Sequence, residues 1–179
     1  KYVPFISVSN VCRDNSVTCM APTKTFNIAG LQTAAVMVPD PVLRHKMDRE
    51  LNTSEVAEPN TFAVTAAVEA YNEGEAWLEE LREYLYGNKL RVREFLEREV
   101  PGVRAVPSQA TYLLWLDCSR VTEDGTALAE FIRQETGLYL TAGEHYGSCG
   151  RGFLRMNIAC PRERLEDGLN RLKQGVEAY

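Results

Sequence analysis

Two residues in this sequence are of types that could do chemistry where they stand. The first is Lys24, in the segment APTKTFN at residues 21–27. A lysine becomes a nucleophile or a base when burial disfavours its charge, and its neutral amine then condenses with carbonyl compounds. The neighbouring Thr23 offers a hydroxyl that suits a phosphate oxygen. Most loop lysines are solvated, so a reactive inward-facing amine and an ordinary surface lysine are both open interpretations.

The second residue is Arg155, in the segment GFLRMNIAC at residues 152–160. Because side chains alternate along a strand, Leu154 and Met156 share one face while Arg155 and Asn157 share the other. A planar guanidinium can hold a carboxylate through two parallel hydrogen bonds. An arginine on a strand can equally face water, and the residues alone leave both interpretations open.

The composition argues against several kinds of partner and site. The net charge is −5 and no basic cluster stands out, which argues against nucleic acid. No apolar stretch reaches the roughly 18–20 residues of a membrane helix, and residues 1–20 lack the pattern of a signal peptide. The five cysteines show no CxxC spacing, and the only histidines are His45 and His145. We therefore expect no metal site, no disulfide scaffold and a reducing, cytoplasmic location.

The elements around Lys24 follow from short apolar runs and their breakers. Residues 16–20 and 31–38 predict two buried strands on either side of the lysine segment. The Pro39-Asp40-Pro41 triplet ends the second run and predicts a helix from about Val42. An alanine-rich helix is expected at 61–71, and three-to-four apolar spacing predicts a long helix at 75–99.

The rest of the chain alternates between strands and helices. We predict strands at 103–106, 112–117, 138–141 and 152–160, and helices at 127–136 and 161–177. This alternation is typical of an α/β sandwich, in which helices cover a sheet. The predicted fold class is therefore α/β.

Residues 19–31, CMAPTKTFNIAGL, resemble the pyridoxal-phosphate lysine segment of the class I/II aminotransferase superfamily, fold type I. They are most similar to the subgroup of cystathionine β-lyase-like C–S lyases. Further segments recur in that subgroup in the same order, so the resemblance covers essentially the whole chain. These are NTFA with the following helix to Tyr71, Trp77-Leu78, YLLWLD at 112–117, GEHYG at 143–147 and GFLRMN at 152–157.

The resemblance implies a role for each candidate residue. Lys24 matches the lysine that binds pyridoxal 5'-phosphate covalently, and Thr23 matches a hydroxyl position on the cofactor's phosphate. Arg155 matches the arginine that binds the α-carboxylate of an amino acid substrate. Ala21 and Gln32 stand where many aminotransferases have a serine and an arginine on the phosphate. Since Gln32 resembles the lyase subgroup, it favours a lyase over an ordinary transaminase.

The resemblance also implies a domain organisation, because family members are about twice as long as this chain. Residues 1–75 would be the C-terminal part of the large cofactor-binding domain, 76–100 a long interdomain helix, and 101–179 the small C-terminal domain. Other cofactor contacts would lie upstream, so we expect this C-terminal half alone to be inactive. The full-length protein is expected to be a homodimer.

Three functions follow as alternatives. The first is a C–S β-lyase that converts cystathionine or a cysteine S-conjugate to a thiol, pyruvate and ammonia. The second is an amino acid aminotransferase, since nothing in these residues decides between elimination and transamination. The third is a non-catalytic fragment or a regulatory relative that binds a protein partner, although the presence of both Lys24 and Arg155 argues against a degenerate site.

Overall fold

The computed structural model describes residues 2–179. The chain forms two compact units, with the boundary between Glu80 and Leu81. Each unit has its own elements and packing. Within the described residues, no helix is both long enough and apolar enough to cross a membrane.

The first unit consists of short elements. Two strands and three helices make up most of it, followed by the start of a long helix. They are α1 (Asn10–Asp14), β1 (Thr18–Met20), β2 (Ala35–Met37), α2 (Pro41–Thr53), α3 (Ala63–Glu73) and α4 (Glu75–Glu99). The helix expected from about Val42 begins at Pro41, because the Asp40 side chain accepts a hydrogen bond from the Leu43 amide at 2.7 Å.

The strands β1 and β2 pair antiparallel, with Cys19 opposite Val36. Both were expected to be buried, and this expectation is wrong: Met20 is 40% exposed and Met37 is 46% exposed. Within residues 2–179 the two strands form a sheet of their own, so no further strand extends it. The second strand is also shorter than predicted, because Ala29–Leu31 forms a 3-10 turn that ends at a left-handed Gln32.

The second unit contains a four-stranded sheet and its covering helices. Beyond the latter part of α4, its elements are β3 (Arg104–Ala105), β4 (Leu113–Asp117), α5 (Gly125–Thr136), β5 (Thr141–Ala142), β6 (Phe153–Asn157) and α6 (Arg162–Ala178). The strand order is β3-β4-β6-β5, and each neighbouring pair is antiparallel. In this register Arg155 lies between Trp115 on β4 and Thr141 on β5.

One face of this sheet carries the core of the second unit. Leu154, Met156 and Ile158 are buried, as the alternation in 152–160 predicted. The helices cover this face with apolar side chains, among them Val92, Phe95, Leu96, Leu128, Ile132, Leu165, Leu169 and Leu172. Gly175 permits the close approach of α6 to α5, since a Cβ there would lie 2.8 Å from Ile132 Cγ1. The opposite face holds Trp115 and Arg155, both half-buried.

Polar contacts join α4 to the end of β6 and to α6. Asn88 is fully buried, and its Nδ2 donates to the main-chain oxygens of Ile158 at 2.9 Å and Cys160 at 3.1 Å. Arg91 donates through Nε and Nη2 to the two carboxylate oxygens of Glu166, at 2.6 and 2.8 Å. The hydrogen bond from Arg91 lowers the pKa of Glu166 from its usual value. These contacts hold α4 in place over the sheet.

Several elements of this unit begin or end at residues other than those predicted. Helix α5 begins at Gly125 instead of residue 127, because Asp124 Oδ1 accepts from the Ala127 amide at 2.9 Å. The strand predicted at 138–141 is found at Thr141–Ala142, and the one predicted at 152–160 ends at Asn157. The long helix predicted at 75–99 has those bounds in the structure.

Candidate functional site

The segment that carries Lys24 is a run of overlapping turns. The Phe26 amide donates to Pro22 O at 2.9 Å, and the Ile28 amide donates to Thr23 O at 3.0 Å. Asn27 takes a left-handed conformation with φ 55°, which an asparagine tolerates better than most residues. These bonds close around Lys24, so its backbone position is set by the turn and not by a strand or a helix.

An aromatic contact seats this turn on the helices of the first unit. The Phe26 ring meets Tyr71 of α3 edge-on at 5.9 Å and stacks on Trp77 of α4 at 6.2 Å between centroids. Gly74 leaves room for it, because a Cβ at that position would lie 2.5 Å from the Phe26 ring. The lysine segment is therefore anchored by a side chain two residues after Lys24.

The two candidate side chains in this segment lie beside each other. Lys24 is exposed, and Thr23 is half-buried. Within residues 2–179 the structure shows no hydrogen bond or ion pair for the Lys24 amine and no acceptor for the Thr23 hydroxyl. An amine and a hydroxyl without partners can bind a carbonyl carbon and an anionic oxygen, respectively.

In the second unit, Arg155 is held on the open face of the sheet. Its Nη2 donates to Thr141 Oγ1 at 3.3 Å. Its Cζ lies over the ring of Tyr146, 5.2 Å from the centroid. Around it stand three aromatic side chains, Trp115, Tyr146 and Phe153, which we call the aromatic face. Trp115 stacks on Phe153 at 5.6 Å and meets Tyr146 edge-on at 5.6 Å.

The charges near Arg155 leave its guanidinium available to an external anion. Within residues 2–179 the structure pairs it with no carboxylate. Asp117, on the same face of β4, is occupied by its own partners: Ser119 Oγ donates to it at 2.6 Å and Arg104 Nη2 at 2.9 Å. The hydrogen bonds from Ser119, with Arg104 adding to them, lower the pKa of Asp117. The half-buried Arg155 guanidinium therefore has N–H donors that can form hydrogen bonds to an external anion.

Lys24 and Thr23 thus lie together in the first unit, and Arg155 lies in the second. Sequence reasoning did not single out Phe26, Thr141 or Tyr146, which position these residues within their units. The tyrosine stands in the GEHYG segment, but nothing in local spacing shows that this loop returns over β6. Within the described residues, no group of three or more histidine, cysteine, aspartate or glutamate side chains could hold a metal ion.

Comparisons with known proteins find relatives that match nearly the whole of this chain. Cystathionine beta-lyase PatB of Bacillus subtilis (strain 168) is 41% identical over 176 residues, covering 98% of this chain and 46% of PatB. A pyridoxal-phosphate-bound structure of a proposed aminotransferase from Clostridium difficile 630 is 36% identical with a TM-score of 0.94, covering 98% of this chain and 46% of that one. A pyridoxal-phosphate-bound C-S lyase from Staphylococcus hominis, complexed with L-cycloserine, is 32% identical with a TM-score of 0.80, covering 91% and 39%.

This chain spans about half the length of the curated relatives it matches. The structural likenesses confirm the α/β fold class of fold-type-I pyridoxal-phosphate enzymes, and the curated relatives confirm the resemblance to the cystathionine β-lyase-like subgroup. The family described as Aminotransferase class I and II matches residues 4–172. With nearly the whole sequence matched and the fold shared, the chain belongs to the class I and II aminotransferase family.

Proposed function

We propose that this chain is part of a pyridoxal-phosphate-dependent C–S β-lyase. Its substrate is cystathionine or a cysteine S-conjugate, and its products are a thiol, pyruvate and ammonia. The observation that carries the substrate side of the proposal is Arg155, a half-buried arginine whose donors face no protein carboxylate in the described residues. An amino acid offers the carboxylate that such a guanidinium binds best. The choice of a lyase is supported by the likeness to PatB.

The residues of the lysine segment fit the cofactor. The donor set required is an amine for its aldehyde carbon and hydroxyl or amide groups for its phosphate. Lys24 Nζ supplies the first and Thr23 Oγ1 one of the second, and both lack partners within residues 2–179. Pyridoxal phosphate, when bound, supplies an electron sink for the negative charge that develops at the substrate's α-carbon.

The remaining steps are assigned to side chains of this chain. Arg155 holds the substrate carboxylate and so orients the bonds at the α-carbon. The substrate's own amine would displace Lys24 Nζ from the aldehyde carbon, and the freed Nζ then accepts the α-proton as the general base. The Cβ–S bond breaks with its electron pair on sulfur, which leaves as a thiolate and takes up a proton. Addition of water completes the change to pyruvate and ammonia, so the reaction consumes one water and needs no oxidant.

An amino acid aminotransferase is the second candidate, and the 36% identity to the Clostridium difficile structure favours it. In an aminotransferase the proton goes to a carbon of the cofactor and not back to the substrate. The substrate leaves as a keto acid and its amino group stays with the enzyme. An aminotransferase therefore needs a second keto acid for turnover, whereas a β-lyase does not. This difference decides between the two.

We expect the full-length protein, loaded with pyridoxal phosphate, to form pyruvate from cystathionine over many turnovers without any added keto acid. The measurement is a coupled assay for pyruvate, with free thiol measured in parallel. If turnover depends on an added keto acid, the protein is an aminotransferase and the lyase proposal is wrong. The 179-residue chain alone serves as a control and should form no pyruvate, because it spans about half the length of its curated relatives and brings only part of the proposed cofactor site.

Arg155→Lys in the full-length protein tests the carboxylate role. Lysine keeps the charge but loses the planar pair of donors, so we expect kcat/KM to fall by about 2–3 kcal/mol, roughly 30- to 150-fold. Steady-state kinetics with cystathionine measures the change. Arg120→Lys, at an exposed arginine of the same unit, is the matched control and should leave kcat/KM unchanged. A loss of less than about threefold at Arg155 would make it an ordinary surface residue.

The proposal extends to the assembly and location of the whole protein. We propose a homodimer in the cytoplasm, divided into a large-domain part at 1–75, an interdomain helix at 76–100 and a small domain at 101–179. The five scattered cysteines, without CxxC spacing, support a reducing compartment. The compact unit from Leu81 to Tyr179 supports a separate small domain.

A further inference from the structure

We propose that Tyr146 is a positioning residue for Arg155: its ring holds the guanidinium in place so that the hydrogen-bonding edge is ready for the substrate carboxylate. This inference rests on the proposed function, which assigns the carboxylate to Arg155. Nothing in the resemblance or in the residue pattern gave Tyr146 a role. It comes from the contact of one loop with the middle of β6.

The contact restrains Arg155 without occupying its donors. Arg155 Cζ lies 5.2 Å from the centroid of the Tyr146 ring, and the attraction of a cation to a ring face is electrostatic. It requires no acceptor atom, so the contact with the ring itself occupies none of the guanidinium N–H groups. Within residues 2–179 the acceptor that the structure gives Arg155 is Thr141 Oγ1, at 3.3 Å. An arginine held by one ring and one hydroxyl loses less rotamer freedom when it binds a carboxylate.

The ring of Tyr146 is itself held, although 54% of the residue is exposed. Trp115 and Tyr146 form a T-shaped pair, with ring centroids 5.6 Å apart and an interplanar angle of 71°. Trp115 in turn stacks on Phe153, with ring centroids 5.6 Å apart, and the two residues stand on neighbouring strands β4 and β6. Trp115 and Phe153 therefore support Tyr146 from the sheet side, while Arg155 lies against its ring.

The backbone that carries Tyr146 is fixed by close contacts. Gly143 and Gly150 approach so closely that a Cβ on Gly143 would lie 2.2 Å from Gly150 O. Glu144 Oε1 accepts from the Gly125 amide at 2.9 Å, which joins this loop to the first turn of α5. Gly147 follows with φ 114°, a conformation that a side chain would strain. The fold thus sets the position of Tyr146 before any ligand binds.

The experiment measures binding of propionate, a carboxylate without an amine, to the full-length protein loaded with pyridoxal phosphate. Propionamide is the uncharged match, and calorimetry gives both dissociation constants without any turnover. Tyr146→Leu is expected to weaken propionate about three- to tenfold and to leave propionamide unchanged. Tyr146→Phe keeps the ring and should bind propionate as the unchanged protein does. Thermal unfolding of both variants should match the unchanged protein, since Tyr146 lies outside the buried core.

The double variant separates positioning from direct contact. In an Arg155→Lys background, Tyr146→Leu should have no further effect on propionate, because the guanidinium it positions is gone. A further weakening of the same size in that background would overturn the proposal. So would unchanged propionate binding by Tyr146→Leu alone, or equal weakening of propionate and propionamide. If Arg155→Lys itself leaves propionate binding unchanged, the carboxylate role fails, and the role of Tyr146 fails with it.

Discussion

Lys24→Arg in the full-length protein is expected to lower kcat/KM for cystathionine by at least about a thousandfold. Arginine keeps the positive charge and much of the length, but its guanidinium stays protonated in proteins. It can therefore neither bind an aldehyde carbon covalently nor accept the α-proton. General base catalysis alone contributes roughly a hundred- to ten-thousandfold, and the loss of the covalent link adds to this. Coupled pyruvate kinetics measures the change.

The assignment of Lys24 has a second test that does not depend on turnover. Reduction of the loaded full-length protein with borohydride, followed by peptide mapping, should place the pyridoxyl group on Lys24. Lys46→Arg is the matched control, because Lys46 is an exposed lysine of α2 in the same unit. That variant should retain both activity and labelling. A pyridoxyl group found on any other lysine would remove Lys24 from the cofactor site.

Asn88→Ala is expected to lower the free energy of unfolding of the second unit by about 3–5 kcal/mol. Asn88 is fully buried, and its Nδ2 is the donor for two main-chain oxygens, those of Ile158 and Cys160. Alanine leaves the buried oxygen of Ile158 and the part-buried oxygen of Cys160 without this donor, at about 1–3 kcal/mol for each group. It also removes Asn88 Oδ1, a buried acceptor that has no partner within residues 2–179, and this offsets part of the loss. The cavity left by the side chain adds to the loss.

Urea unfolding of the 179-residue chain, followed by circular dichroism, measures this change. Asn170→Ala is the matched control, because Asn170 is an exposed asparagine on α6. Its expected effect is below about 0.5 kcal/mol, as for most surface substitutions. A loss of less than about 1 kcal/mol in Asn88→Ala would mean that Ile158 O and Cys160 O find other donors.

The candidate site was only partly predictable from residue types. Lys24 and Arg155 each had a solvated interpretation that local sequence could not exclude, and their roles came from the family resemblance. The structure adds their surroundings: an anchored turn around Lys24 and an aromatic face around Arg155. The residues that contact each other in these surroundings lie far apart along the chain, as Phe26 and Trp77 show. Residue type and local spacing contain no record of such contacts.

The sequence by itself determined most of the local helices and strands, and it determined which face of strand β6 is buried. Three-to-four apolar spacing predicted α4 with the bounds Glu75–Glu99, and alternation predicted that Leu154 and Met156 are buried. Proline at the start of α2 and aspartate before it mark where that helix begins. Helical period, strand alternation and caps are properties of residues within a turn or two of one another, so a short stretch of sequence is enough to specify them.

Only the tertiary structure decided which segments meet. It paired Arg155 with Trp115 and Thr141, placed Tyr146 over the guanidinium, and tied Asn88 to the end of β6. Within this chain, which spans about half the length of its curated relatives, β1 and β2 are largely exposed, although their apolar runs predicted burial. An apolar run shows that burial is favourable, but burial requires a second layer, and that layer comes from distant residues. Register and layer packing depend on the whole chain at once, so they follow from the fold and not from the local pattern.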